Sequence, residues 1–205
     1  MRFQLSEKNC FYMEEGALSG VLKIARRVCE DFALVFSEKP ECCNSLSELT
    51  DFPILFGTLG YSELLEQYED KGMFKREEIE GKREVYSISV VEHPVRKDGK
   101  ALLIAGSDKR GTIYGLFHLS ELIGVSPLAY WCKVKPMRQK EVVLTEVDMG
   151  VSKEPSVKYR GFFINDEWPA FGNWCNHRFG GFTATMYEQV FELLLRLKCR
   201  LQMYE

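Results

Sequence analysis

The spacing of apolar positions changes several times along the chain, and each change marks an element. Leu18, Val21, Leu22, Ala25, Val28, Cys29 and Phe32 recur at helical spacing. Lys23, Arg26, Arg27, Glu30 and Asp31 fall mostly on the opposite side, which predicts an amphipathic helix over residues 18–36. A short strand near Cys10 to Met13 precedes it. "EKPECCNS" breaks the pattern as a loop, "DFPILFGTLG" is an apolar strand closed by a glycine turn, and "YSELLEQYE" is a short helix. "KGMFKREEIEGKRE" is charged and irregular and reads as a solvated turn region. In "REVYSISVVE", Val85, Ser87, Ser89 and Val91 alternate with Tyr86, Ile88 and Val90, the period of a strand. "HPVRKDGK" turns the chain into "ALLIAG", whose unbroken apolar run suits a strand covered on both faces, so the two strands form a hairpin. "SDKRGTIYGLFHLSELIGV" is then a helix, with Ser107 or Asp108 as its N-cap.

The resulting order, β-α-β-α-β-β-α, is that of an α/β domain, and with a connector it fills residues 1–150. The connector, "SPLAYWCKVKPMRQKEVVLTEVDMGVSKEPS", carries one short strand, "EVVLTEV". From residue 151 to 205 a second module begins. "VKYRGFFIND" supplies a strand and "WPAFGNWCNHRFGG" a long loop. A helix follows, with Thr185 and Glu188 at capping-box spacing and Tyr187, Val190, Phe191, Leu194 and Leu197 inward. "CRLQMYE" opens another strand.

Composition narrows the class. The 205 residues are 45% apolar and 28% charged, enough apolar content for a core, and the net charge of −3 is spread with both signs interspersed, which excludes a nucleic-acid footprint. No stretch approaches the roughly 18 consecutive apolar residues of a membrane helix. Glu7, Lys8, Glu14 and Glu15 stand where a secretion signal needs an apolar stretch, so the expected location is cytoplasmic. The seven cysteines form no C-x-x-C pair, which fits free thiols in a reducing compartment rather than a disulfide framework or a zinc site. Cys175 and His177 lie two apart, short of a ligand set, so no metal is expected.

Two stretches bear on chemistry. "ALLIAGSDKRGTIYG" places Gly106 and Gly111 at P-loop spacing between a strand and a helix, but Thr112 and Ile113 stand where Lys and Ser or Thr are needed, so the glycines read as turn and close-packing residues. The second is "FFINDEWP". A buried strand delivers Asn165, Asp166 and Glu167 together at its end, either as a solvated turn and cap or as part of an active site. In the following loop Arg178 suits bidentate pairing with a carboxylate, and Trp168 and Trp174 offer faces for sugar rings or packing for the loop.

Three stretches, "IAGSDKRGTIYGLFHLSELIGVSP" with the "YWCKV" after it, "EPSVKYRGFFINDE" and "RFGGFTATMYEQVFELLLRLK", together resemble the opening part of glycoside hydrolase family 115, the xylan α-glucuronidases. The chain departs from that family's pattern at Trp168, where a small residue is usual, and at Thr183, where Asn is common. The part before residue 100 resembles the small α/β domain that precedes the barrel in hexosaminidase-like hydrolases.

The resemblance implies an N-terminal hexosaminidase-like α/β domain followed by the first βα unit of an incomplete TIM barrel. It implies inverting removal of glucuronic acid or its 4-O-methyl form from glucuronoxylan or its oligosaccharides, with no organic cofactor and with a homodimer in the complete protein. Asp166 matches the family's motif position and is the expected catalytic carboxyl; Asn165, Glu167 and Arg178 are the expected substrate-binding groups. A whole barrel takes about 250 residues. The roughly 50 from Ser156 onward suffice for one unit, so the chain is expected to be a fragment or truncated product without hydrolase activity alone. A non-catalytic carbohydrate-binding or assembly module is the alternative.

Overall fold

The computed structural model describes residues 2–165 and 168–204, which group into two compact units, Met1–Pro155 and Ser156–Glu205. In chain order the first unit holds β1 (Phe3–Leu5), β2 (Cys10–Tyr12), α1 (Ser19–Phe36), β3 (Glu41–Cys43), β4 (Pro53–Thr58), α2 (Glu63–Asp70), β5 (Tyr86–Glu92), β6 (Lys100–Gly106), α3 (Lys109–Leu122), α4 (Ala129–Cys132), β7 (Val142–Leu144) and β8 (Gly150–Val151). The second unit holds β9 (Gly161–Ile164), α5 (Ala170–Phe179), α6 (Ala184–Arg196) and β10 (Leu201–Tyr204).

Six strands of the first unit form one mixed sheet in the order β3-β2-β4-β6-β5-β8. The first four run parallel; β5 returns antiparallel to β6 as the hairpin anticipated by the alternating pattern, and β8 adds antiparallel to β5. β4 and β6 are buried almost throughout, as continuous apolar runs require when helices cover both faces. On one face, Leu64, Leu65 and Tyr68 of α2 pack with Leu55, Leu103 and Ala105. On the other, α1 and α3 lie side by side, and Phe11 of β2 meets Phe32 of α1 edge to face at 5.3 Å.

α3 sits close to the sheet because its first turns carry no bulk. A Cβ on Gly111 would collide with the carbonyl oxygen of Val85, and one on Gly115 would lie 2.6 Å from Cγ2 of Ile104. Thr112 then locks the helix to β4, its hydroxyl 2.6 Å from that of Thr58 and donating to the Gly57 carbonyl at 3.1 Å.

Several expectations need correction. β1 is a strand the pattern hides: three residues long, it pairs antiparallel with β7, and only its burial of Phe3 and Leu5 reveals it. "ECC", expected as loop, is the edge strand β3. "KGMFKREEIEGKRE" is not merely solvated, since Phe74 and Ile79 reach into the core cluster beneath α2 and Glu84 is buried, while Lys75, Glu77, Glu78 and Glu80 stay exposed. The "long loop" after Pro169 is a helix, α5. Gly172 inside it favours a loop in sequence terms, yet the ring of Trp168 lies where a Cβ of residue 172 would be, at 2.6 Å from Cε2. Finally, α6 begins earlier than the capping-box spacing implies. Thr183, not Thr185, accepts the Met186 N–H, and the inward face is Met186, Val190 and Leu194, with Phe191 and Leu197 exposed.

Candidate functional site

The second unit begins with a backbone problem that its sequence solves. β9 and β10 are parallel neighbours, with Gly161 opposite Leu201 and Ile164 opposite Tyr204. Parallel strands cannot share a tight turn, so the chain must travel back through α5 and α6. The return ends when Leu197 closes α6 and Lys198 takes a left-handed conformation (φ 56°). Arg160, just before β9, fixes that corner. Its Nε and Nη2 donate to the Lys198 carbonyl at 3.1 and 2.7 Å, and its Nη1 donates to the Val157 carbonyl at 2.7 Å. The Arg200 N–H donates to the Arg160 carbonyl at 2.6 Å, which opens the ladder. Nothing in the sequence pattern points to Arg160; the strand–turn–strand geometry it serves is invisible until the two strands are paired.

This pairing puts the C-terminal ends of β9 and β10 side by side. Asn165 leaves β9 at that shared end, half-buried. Asp166 and Glu167 lie outside the described residues. Arg178 stands in the last turn of α5, exposed, with its guanidinium carbon 5.7 Å from the Trp174 ring centroid and 5.9 Å from that of Phe179. Trp174 stacks on Phe171 at 5.7 Å with the rings 14° apart, and Phe171 meets Phe182 at the same distance. The aromatic side chains of α5 therefore pack with one another and with the guanidinium, which restricts the rotamers open to Arg178. Gly180 ends the helix in the left-handed region (φ 75°), its N–H donating to the Asn176 carbonyl.

Cys175 and His177 do not work together. Cys175 is fully buried, which raises its thiol pKa and keeps it protonated, while His177 faces outward on α5. Among the described residues no group of three or more His, Cys, Asp or Glu side chains gathers as a metal-binding cluster.

In the first unit, the phosphate-loop lookalike is occupied by its own side chains. The Asp108 carboxylate accepts the Gly111 N–H at 2.8 Å and the Glu84 N–H at 3.0 Å, and Ser107 Oγ accepts the Val85 N–H at 3.0 Å. The buried Glu84 carboxylate stands 3.8 Å from Arg110. Asp108 takes the Gly111 N–H and Glu84 faces the Arg110 guanidinium, so the loop is a latch between β5 and α3. His93, unassigned in sequence terms, is also structural. Its Nδ1 accepts the Val95 and Arg96 N–H groups at 3.2 and 3.0 Å, so its Nε2–H donates to the Thr50 carbonyl at 3.0 Å.

The sequence profile of Glycosyl hydrolase family 115 matches residues 152–203, nearly all of the βα unit just described. Among solved structures, the chain is similar to BtGH115A, a family GH115 4-O-methyl-α-glucuronidase with specificity for decorated arabinogalactans, with a TM-score of 0.80 and 28% identity. That match covers 98% of this chain and 26% of the other, so the present chain spans about a quarter of that relative's length. It is also similar in fold to CpGH84D, with a TM-score of 0.52 and 14% identity over 80% of this chain and 23% of that one. A GH20 exo-β-N-acetylglucosaminidase from Vibrio harveyi aligns with a TM-score of 0.47 and 13% identity over 99% of this chain and 23% of its own. No curated protein matches the chain.

Proposed function

Since this chain resembles the N-terminal part of glycoside hydrolase family 115, we propose that it is the front end of an inverting hydrolase that removes glucuronic acid or 4-O-methylglucuronic acid from a decorated polysaccharide. In this reading the first unit is the α/β domain, and the second lays down the first stave of a (β/α)8 barrel. The observation that carries it is the parallel β9–β10 pair, joined through helices inside the segment that the family profile matches. In such a barrel, reactive groups stand at the C-terminal strand ends, which is where Asn165 leaves β9; Asp166 is the next residue in sequence.

Inversion needs two carboxyls roughly 6.5–9.5 Å apart, one protonating the leaving oxygen and one activating water. Consecutive residues at a strand end project in different directions as a rule, so we do not assign Asp166 and Glu167 as that pair. Asp166 supplies one member and a later strand the other. Asn165 donates to and accepts from sugar hydroxyls, Glu167 orients them, and Arg178 pairs with the uronate carboxylate. On this account the 205-residue chain alone lacks turnover.

Glucuronoxylan is the proposed substrate. A second substrate is favoured by the specificity of BtGH115A for decorated arabinogalactans. Release of 4-O-methylglucuronic acid from each polymer, by this chain alone and by the protein read in frame beyond Glu205, separates the possibilities. Activity of the longer protein with none from the shorter supports the proposal. Normal turnover by the 205-residue chain alone would refute the division of the site. Polysaccharide binding by the chain, with no activity in the longer protein, would favour a carbohydrate-binding module instead.

A further inference from the structure

We propose that Cys29 and Cys42 are a redox-active dithiol that a hydroperoxide converts to a disulfide, clipping α1 to the edge strand β3. The two sulfurs lie 3.9 Å apart, already in contact and within about 2 Å of the S–S bond length. They differ in access: Cys29 is buried on the inward face of α1, whereas Cys42 is exposed on a strand with a neighbour on one side only.

Strand geometry isolates the pair from the other thiols nearby. Cys42 and Cys43 are consecutive on β3, so their side chains project to opposite faces of the sheet. Cys43 goes with Cys10 into the core cluster beneath α2. Cys42 is registered beside Phe11, which meets Phe32 on α1, and this puts Cys42 on the same face as Cys29. Exposure makes Cys42 the sulfur that meets an oxidant first. The hydrogen bond shared with Cys29, aided by the nearby charges of Lys39 and Arg26, holds the Cys42 thiol down to about 7 despite partial burial. Cys29 moves the other way, raised by the same hydrogen bond and by burial. A thiolate-prone exposed sulfur beside a protonated buried one is the arrangement of an attacking and a resolving cysteine.

The chemistry balances with hydrogen peroxide as oxidant. The Cys42 thiolate attacks one peroxide oxygen, the O–O bond breaks, and hydroxide leaves to be protonated to water, giving a sulfenic acid. The Cys29 sulfur then attacks the Cys42 sulfur. The S–O bond breaks, an S–S bond forms, and the hydroxyl leaves as a second water with the Cys29 proton. Two thiols lose two electrons in total, and one peroxide becomes two waters.

The test is peptide mapping by mass spectrometry of the reduced 205-residue protein after dilute hydrogen peroxide and alkylation of the remaining thiols. The expected product is a peptide pair linked Cys29 to Cys42 and reversed by dithiothreitol, with the thermal unfolding midpoint of the oxidised protein raised by roughly 4–8 °C. Cys42→Ser, an exposed and structurally mild change, abolishes both the link and the shift. Cys29→Ser instead leaves Cys42 as a sulfenic acid that dimedone traps. A wild-type product in which Cys42 is over-oxidised while Cys29 remains alkylatable after unfolding would overturn the proposal, as would a link between Cys10 and Cys43 in its place.

Discussion

The guanidinium of Arg160 and the carbonyl of Lys198 meet through two hydrogen bonds, at 2.7 and 3.1 Å, and this contact ties the start of β9 to the turn that delivers β10. Everything at the far end of the two strands depends on that register, because a slip by one residue would turn each side chain to the other face of the sheet. The same arginine also holds the Val157 carbonyl, so a single side chain satisfies backbone acceptors from two segments. Arg160→Ala is therefore expected to destabilise the second unit by about 2 kcal/mol, the scale of charged hydrogen bonds lost with their acceptors left behind. Arg160→Lys recovers only part of it, since an ammonium lacks the planar fork. Hydrogen exchange of the Gly161–Ile164 amides measures this directly, and unchanged protection in Arg160→Ala would remove Arg160 from the account of the register.

Asp108 gives a second expectation. Its carboxylate caps α3 through Gly111 and also receives the Glu84 N–H. Asp108→Ala should lower stability by about 1–2 kcal/mol in urea unfolding. Added phosphate should leave the unfolding midpoint of the wild type unchanged, because the loop's donors are already taken. A phosphate-dependent rise in that midpoint would mean the loop is an anion site after all.

Alkaline pH should weaken the first unit. Burial raises the Tyr86 phenol to about 12, with the Glu121 charge adding to the effect, and burial also raises that of Tyr68, which donates to the Glu92 carbonyl at 2.7 Å. Unfolded tyrosine titrates near about 10, so above that pH the unfolded chain releases protons that the native state still holds. The stabilisation is complete below about pH 10 and is lost as pH rises towards 12. Urea midpoints followed from neutral pH to pH 11 should fall, and should fall less steeply in the Tyr68→Phe, Tyr86→Phe double variant. Parallel slopes for the two proteins would assign the alkaline loss to other groups.

The elements legible in sequence are those whose apolar residues follow a clear period. α1 and α3 show helical spacing, and β5 and β6 show the contrast between an alternating and a continuous strand. What escaped were elements whose reason for existing lies elsewhere in the chain. β3 has only three residues and forms because β2 offers it an edge. α5 has a glycine in its interior because a tryptophan two residues before the helix fills the space. Thr183 looked like a departure at a position where the family commonly has Asn, yet as the N-cap of α6 it does what Asn does there, since both side chains accept a first-turn N–H.

The candidate site was legible only in part, for a similar reason. Motif order points to the end of β9, and the parallel pairing with β10 puts Asn165 at such an end. Motif order gave no hint, however, that Arg178 packs against Trp174 and Phe179 on a helix, because that contact depends on α5, which the glycines of the segment conceal.

The central proposal is that Asp166, two residues beyond Ile164 in sequence, is a catalytic carboxyl for glycosidic-bond cleavage. Its most direct measurement is kcat for release of 4-O-methylglucuronic acid from glucuronoxylan by the protein read in frame beyond Glu205, compared with its Asp166→Asn variant. The substitution keeps the size of the side chain and removes its acid–base function, so kcat should fall by about 10²–10⁴-fold with KM little changed. A variant that kept the parent's kcat would contradict the account.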